Sequence, residues 1–328
     1  MNKIRHVMIL VLSIIFPLSL VPIPTQAASD DQNLEIAYHW APIHYQDTDN
    51  SHADADYLTG VDYDGDWNAQ NNWEHQDDHP NQLKGEVYYS VVETKTHWFI
   101  VYSFYHPRDW EDGFHFFGRT TQQEHENDME GVMEIVRKDD SKYGKFEGMV
   151  TIAHSDFYSF TPAGSPLKKG KEDIDGKAYM QYFDQSEHPT TFQEAKGHGL
   201  KAWNHKDFPG GDGVIYYPDK ASGQVPKNGN DRFVKYKLVN TFAPNGLWDH
   251  RFDPQTFASW GKFHGDNGKH NAASPAWLWD DHDDKPGAGA LALDPAGLTK
   301  DYFDGHGEFS TEYLSNPYIQ SGLPNVNR

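Results

Sequence analysis

The 328-residue chain carries 49 aspartates and glutamates against 28 lysines and arginines, a formal net charge of −21. Such a charge repels nucleic acid and anionic membranes unless cations intervene, and it suits a protein that collects divalent cations. Cysteine is absent, which excludes disulfides, thiol nucleophiles and lipid anchoring through a thiol.

Residues 1–27 read as a secretory signal peptide. Lys3, Arg5 and His6 precede an almost unbroken apolar run from Val7 to Leu20, and Thr25-Gln26-Ala27 offers small residues for cleavage. Pro17 breaks the run and it is too short for a good anchor; nothing later is apolar enough to span a bilayer. The expectation is a secreted, extracellular protein without a stable membrane span. The mature chain is long enough to bury a sizeable core.

Leu34 to Tyr45 reads as a strand, with Pro42 marking an edge or a bend. Asp47 to Asn81 is polar and includes Asp62-Tyr63-Asp64-Gly65-Asp66-Trp67-Asn68. That loop lacks the glycine and glutamate spacing of an EF-hand, so it reads as a looser calcium site or as a turn between strands. Gly85–Glu93 and His97–Tyr105 predict a hairpin through Thr94-Lys95-Thr96. The second strand is apolar on both faces and should be central. It runs into His106-Pro107-Arg108-Asp109-Trp110, which leaves Asp109 at the strand's end. Residues 113–126 read as a loop.

His125-Glu126-Asn127-Asp128-Met129-Glu130-Gly131 packs an imidazole and three acids into six residues and leads into a strand over 131–137. In a strand, Asp128, Glu130 and Glu134 share one face, while Met129, Met133 and Ile135 share the other. Two explanations fit: an amphipathic strand with a wet acidic side, or a metal or catalytic cluster at the mouth of a sheet. Further strands fit 146–154, 178–183, 190–194, 213–217 and 232–242. Beyond Pro244 the pattern fades into a Trp-, His- and Asp-rich region, with one short helix near Pro295 to Phe303. The fold class is mainly β, a β-sandwich with short peripheral helices and long loops.

Val101-Tyr102-Ser103-Phe104-Tyr105-His106-Pro107-Arg108-Asp109, followed by His125 to Glu130 and an apolar strand, resembles the metal-site region of the necrosis- and ethylene-inducing-peptide-like (NPP-type) proteins. Ile152-Ala153-His154-Ser155 is similar to a later strand end of that family. Trp40-Ala41-Pro42-Ile43 and Lys196-Gly197-His198-Gly199 are similar to motifs of a related vacuolar-protein-sorting family. The resemblance covers roughly residues 34 to 200. It implies a central β-sandwich with a divalent cation in an acidic cleft, needed for cytolytic attack on sphingolipid-bearing plant membranes. Carried over by position, it implies Asp109, His125, Asp128 and Glu130 as metal ligands, with His154 close by. The chain departs from the family in Asn127, Met129 and Glu124, which replace a His, a Trp and a Gly. It also lacks the family's disulfide and has a long C-terminal region. These departures bear on plant-cell toxicity more than on the cleft. The expected division is 1–27 signal peptide, 28–244 β-sandwich with metal cleft, and 245–328 a loop-rich extension packed on the same domain.

Three carboxylates and one imidazole form an oxygen-rich donor set of the kind that Ca²⁺, Mg²⁺ or Mn²⁺ prefers. Gathered without a cation, the carboxylates would repel one another. His154 and His198 are the catalytic candidates, each weighed against an ordinary hydrogen-bonding role. Arg108 reads as a surface salt bridge or an anion contact. No serine-nucleophile elbow, zinc helix or phosphate-cradling loop is present.

Two functional readings follow, beside a third in which the metal is purely structural. In one, a secreted metal-binding protein, expected to be a monomer, recognises a cell-surface glycolipid, glycan or membrane headgroup, with cytolysis as the activity the resemblance implies. Trp67, Trp73 and Trp110 would be exposed for stacking on sugars. In the other, a metal-dependent hydrolase cleaves a phosphodiester, ester or glycosidic bond, with His154 or His198 as general acid or base. The balance leans toward the binding protein.

Overall fold

The computed structural model describes residues 30–110, 114–116, 119–121, 124–259, 261–265 and 273–321. The expected signal peptide lies outside them, as does part of the 113–126 loop. No helix among the described residues is long and apolar enough to cross a membrane.

The described residues open with helix α1, Asp30–Trp40, where a strand was expected from Leu34. Asp30 and Asp31 sit in its first turn, where acids complement the helix dipole. Ile36, Ala37 and Trp40 are buried at a helical spacing, and Pro42 limits the helix to the residues before it. Strand β1, Ile43–Asp47, follows. A short helix α2, Asn72–Asp78, lies in the polar segment. The expected hairpin forms as β2, Glu86–Thr94, and β3, His97–Asp109. The expected loop contains a small ribbon of β4, Phe114–Phe116, and β5, Arg119–Thr121. Strand β6 spans His125–Arg137, so the acidic stretch is itself strand from its first residue.

Next come β7, Lys145–Ala153, β8, Asp156–Thr161, β9, Lys168–Lys169, and β10, Gly176–Lys177. They are followed by β11, Met180–Phe183, β12, Ser186–Gln193, and β13, Leu200–Ala202. β14, Gly213–Asp219, and β15, Val234–Asn240, complete the longer strands. The C-terminal part holds β16, Phe257–Ser259, β17, Lys262–Phe263, and helices α3, Ala290–Leu293, and α4, Pro295–Tyr302. β18, Phe303–Asp304, β19, Tyr313–Ser315, and α5, Pro317–Gln320, end it.

One large sheet runs in the order β10-β8-β7-β6-β3-β2-β15-β14-β1-β12-β11, with β13 on β12 and β19 on β2. It curls far enough that β13, at one end of the order, meets β7 and β6. One face carries Ile100, Tyr102, Phe104, Val132 and Val136, packed with Val214, Tyr216, Tyr236 and the buried side of α1. The other carries Met129, Met133, Ile135, Val150 and Ile152, covered by the chain beyond Pro244 through Trp248, Phe257, Phe263, Trp277, Trp279 and Tyr302. The two faces of β6 follow the expected parity, but the acidic side is not wet: β6 is buried from His125 to Val136.

Candidate functional site

Register builds the site. β3 and β6 pair antiparallel, with Asp109 opposite His125, His106 opposite Asp128 and Phe104 opposite Glu130. His125 Nε2 stands 3.3 Å from Asp109 Oδ2. Asp109, His125, Asp128 and Glu130 thus lie at one end of two central strands, within a cleft of about 480 Å³ that His154 also lines. The opposite wall comes from the C-terminal region: Lys262, Ser274, Leu278, Trp279, Asp280 and His282. Trp279 fixes that wall by donating Nε1–H to Met129 O at 3.1 Å and to Ser274 O at 2.7 Å. His282 N–H donates to Ser155 O at 2.9 Å.

Left-handed backbone aims three of the residues here. Asn127, His154 and His198 have φ of 59°, 61° and 53°, a region that non-glycine residues rarely occupy. Asn127 is fully buried, and its amide meets Asn72, Tyr105, Ala69 and His264. It therefore ties the acidic strand to α2 and to the C-terminal segment. His154 follows β7, and its N–H donates to Glu130 Oε1 at 2.6 Å. Its ring, on the cleft side, meets Glu194 Oε1 at 2.8 Å.

His198 does not reach the cleft, contrary to its role as a catalytic candidate. It is fully buried behind Asp128, and both ring nitrogens are engaged: Nδ1 with Asp128 Oδ2 at 3.0 Å, Nε2 with Asp56 Oδ1 at 3.2 Å. Burial would depress this imidazole, but the two aspartates outweigh it and hold it up at about 10. Burial likewise pushes Asp128 up, and the cationic His198 overrides it to bring the carboxyl down to about 2. His106 stacks on His198 at 3.8 Å; burial and that neighbour keep it well below its ordinary value. His198 is thus a positioning residue that fixes the charge and orientation of Asp128.

Burial and the nearby Asp128 push Glu130 well above the usual carboxylate range. For His125, burial is the largest influence and acts downward, but the hydrogen bond with Asp109 together with the charges of Asp128 and Asp109 raises it overall. For His154, the Glu194 hydrogen bond is the largest influence and raises it; the same bond lowers Glu194.

Asp109 Oδ1 and Glu130 Oε2 are buried and have no hydrogen-bond partner. A buried carboxylate oxygen without a donor is costly, and a divalent cation supplies what such oxygens lack. The donor chemistry therefore fits a hard cation held by Asp109, His125, Asp128 and Glu130. These residues do not form one of the tightest donor groups. Asp64 with Asp66 and His75, Asp156 with Asp281 and Asp283, and Glu172 with Asp281 and Asp284 each bring three donors within 4.8 Å. In the first of these, Asp64 and Asp66 lie in the loop read as a loose calcium site and His75 in α2.

Asp56, Glu194 and His106 escaped the sequence reading. Many acids crowd the segment around Asp56, and no spacing separates it from them. Arg108 is no surface residue: it is buried, its guanidinium donates to Trp73 O, and it pairs with Asp77 at 2.8 Å. Trp73, Trp110 and His52 form a stacked row beside it, with ring centroids 5.1 and 3.8 Å apart. Trp73 and Trp110 are half-buried rather than exposed, as is Trp67, which stacks on His250 at 4.0 Å.

Fold and site define a mainly β protein whose curled sheet opens into a cleft with an acidic floor. No protein-family model matches the chain, and no curated protein matches it. Among solved structures it is similar to those of necrosis- and ethylene-inducing proteins, the family its motifs resemble. One is Necrosis and Ethylene inducing Protein 2 from the causal agent of cocoa's witches' broom disease, 16% identical. That match covers 58% of this chain and 61% of that one, less than two thirds of its length, with a TM-score of 0.30. A structure described as a toxin fold for microbial attack and plant defense is 17% identical over 67% of this chain and 76% of that one, TM-score 0.32. A third, NLPPya in complex with mannosamine, is 14% identical over 65% and 76%, TM-score 0.31. These likenesses are partial, and the chemistry of the site rests on its own side chains.

Proposed function

We propose that the protein is secreted and binds a divalent cation through Asp109, His125, Asp128 and Glu130, using it to recognise a cell-surface glycan or glycolipid headgroup. The supporting observation is the pair of buried, unpartnered oxygens, Asp109 Oδ1 and Glu130 Oε2, on two residues that line an open cleft. When bound, the ion supplies a centre of positive charge for hydroxyl or anionic oxygens. His198 and Asp56 hold Asp128 ionised toward it, and the wall around Trp279 shapes the space beside it. Ca²⁺, Mg²⁺ and Mn²⁺ all suit the donors.

Amino sugars are natural first probes, since one neighbour was solved with mannosamine and with glucosamine. The test is calorimetric binding of the cation, then sugar binding with and without chelator. Tight cation binding lost in Asp109→Ala and Asp128→Ala, with sugar binding lost alongside, supports the reading. Unchanged cation affinity in both variants overturns it. Cytolysis is the finer part of the proposal: leakage from liposomes of defined lipids should need the cation and yield no cleaved product.

A second reading, a metal-dependent hydrolase, draws on the His154–Glu194 pair, whose imidazole lines the cleft. An imidazole oriented by a carboxylate is suited to general acid–base work. Turnover of a phosphodiester, ester or glycoside, lost in His154→Ala while the cation is retained, would favour it.

A further inference from the structure

Lys262 lines the cleft with the acidic floor. It is half-exposed, and among the described residues its ammonium has neither an ion pair nor a hydrogen bond. Among the described residues it is also the one lysine or arginine in the lining; the other charged or titratable groups there are Asp109, His125, Asp128, Glu130, His154, Asp280 and His282. An ammonium beside so many acids would ordinarily pair with one of them. The backbone of Lys262 is fixed on the cleft wall. It lies on the short β17, in register with Ser259, and the next residue, Phe263, is buried in the core. Phe263 N–H donates to Ala273 O at 3.1 Å, which ties the segment to the same wall.

A cation on the floor and an ammonium on the opposite wall are two positive centres facing one space. Neutral sugar hydroxyls satisfy the ion but offer Lys262 only weak acceptors, and an amino sugar brings a second ammonium against it. An anionic group on the ligand satisfies both centres through charge-assisted contacts. At about 480 Å³ the cleft has the size of small-ligand pockets and can take a sugar with such a substituent.

We infer that the ligand of this cleft is anionic, a saccharide or headgroup carrying a phosphate, sulfate or carboxylate, and that Lys262 selects it. This rests on the cation-binding reading above and names the ligand class for the same site. Lys262 comes from the chain beyond Pro244, so the selectivity belongs to the C-terminal region and not to the motif-bearing strands.

The test uses the mature chain loaded with Mn²⁺. Its Mn²⁺ affinity is measured first, then its affinity for glucosamine, glucosamine 6-phosphate and inorganic phosphate. Binding to phosphatidylcholine vesicles with and without phosphatidylinositol is measured in parallel. Wild type should prefer the phosphorylated sugar, or the phosphatidylinositol vesicles, by about tenfold or more, the scale of a hydrogen bond to a charged group. Preference for the soluble sugar phosphate identifies a free saccharide as the source; preference for the vesicles alone identifies a lipid headgroup. Lys262→Met should erase the preference, and Lys262→Arg should keep it. Lys262→Met should leave Mn²⁺ affinity undiminished, because removing a positive charge cannot weaken cation binding electrostatically.

Equal affinity for glucosamine and its phosphate, no binding of either anionic probe, or a preference that survives Lys262→Met overturns the inference. Failure of wild type to bind Mn²⁺ overturns the cation reading instead. In that case a Lys262-dependent preference for the anion would still stand. Far-UV circular dichroism and thermal unfolding of each variant separate loss of selectivity from loss of fold.

Discussion

Glu130 and Glu134 stand four residues apart on the same side of β6, and both are buried. They part ways in their surroundings. Glu130 lines the cleft, with one oxygen accepting from the N–H of His154 and the other buried without a partner. Glu134 lies in the core with no partner for either oxygen. Glu130→Gln should therefore preserve the fold and lower cation affinity at least about tenfold, in the range seen when support for a metal site is lost; calorimetry checks it. For Glu134, burial raises the folded-state value well above 4.5. Above 4.5 the unfolded chain releases this proton while the folded chain keeps it, so this site's contribution is full below 4.5 and declines as pH rises toward the folded value. Glu134→Gln should flatten that decline in urea unfolding measured across pH. A decline of unchanged slope would refute the assignment.

At this scale the sequence was informative where a motif carried position, as for Asp109 and His125, which the register places side by side. It was silent on Asp56 and Glu194. Glu194 lies in the turn before β13, which the curl of the sheet brings over β6, and Asp56 comes from the 53–56 turn packed on β3; both are consequences of long-range packing that no local pattern records.

At the level of elements, β6 is the part most constrained by its neighbours. A Cβ on Gly131 would stand 2.2 Å from Tyr102 O and 2.3 Å from Trp279 Cη2. Gly131→Ala must displace the indole that fixes the cleft wall, and should cost about 1–3 kcal/mol or more in urea unfolding. Asn127 combines a left-handed backbone with three buried hydrogen bonds and a fourth that is partly buried. Its change to Ala should cost about 2–4 kcal/mol, since it strands several buried groups. Asn127→Gly, which relaxes the backbone but restores no hydrogen bond, should recover only a small part of that loss.

The β2–β3 hairpin, the two-sided burial of β3 and the short α4 were legible from alternation and from apolar runs. α1 was misread because Leu34 to Tyr45 is a compact apolar run with a proline, a pattern strands and helices share. The spacing of Ile36, Ala37 and Trp40 was the available signal.

Across the whole molecule, the chain beyond Pro244 completes the second core and supplies one wall of the cleft. Its role was not legible because it contributes scattered aromatics from turns and short helices, with no period to read. With a formal charge of −21 and a cleft that gathers Asp109, Asp128, Glu130 and Asp280, the proposed cation site predicts a folded state stabilised by divalent cations. A cation at 100 times its dissociation constant should stabilise the fold by about 2.7 kcal/mol. Adding chelator should lower the unfolding midpoint accordingly, and Asp109→Ala should be indifferent to it.

The most direct measurement is calorimetric titration of Mn²⁺ or Ca²⁺ into wild type, Asp109→Ala, Glu130→Gln and Asp64→Ala. Asp64 belongs to the separate group with Asp66 and His75, and so serves as the control. Tight binding in wild type and Asp64→Ala that is lost in the other two is the expected result. Binding that survives Asp109→Ala and Glu130→Gln but disappears with Asp64→Ala would contradict it.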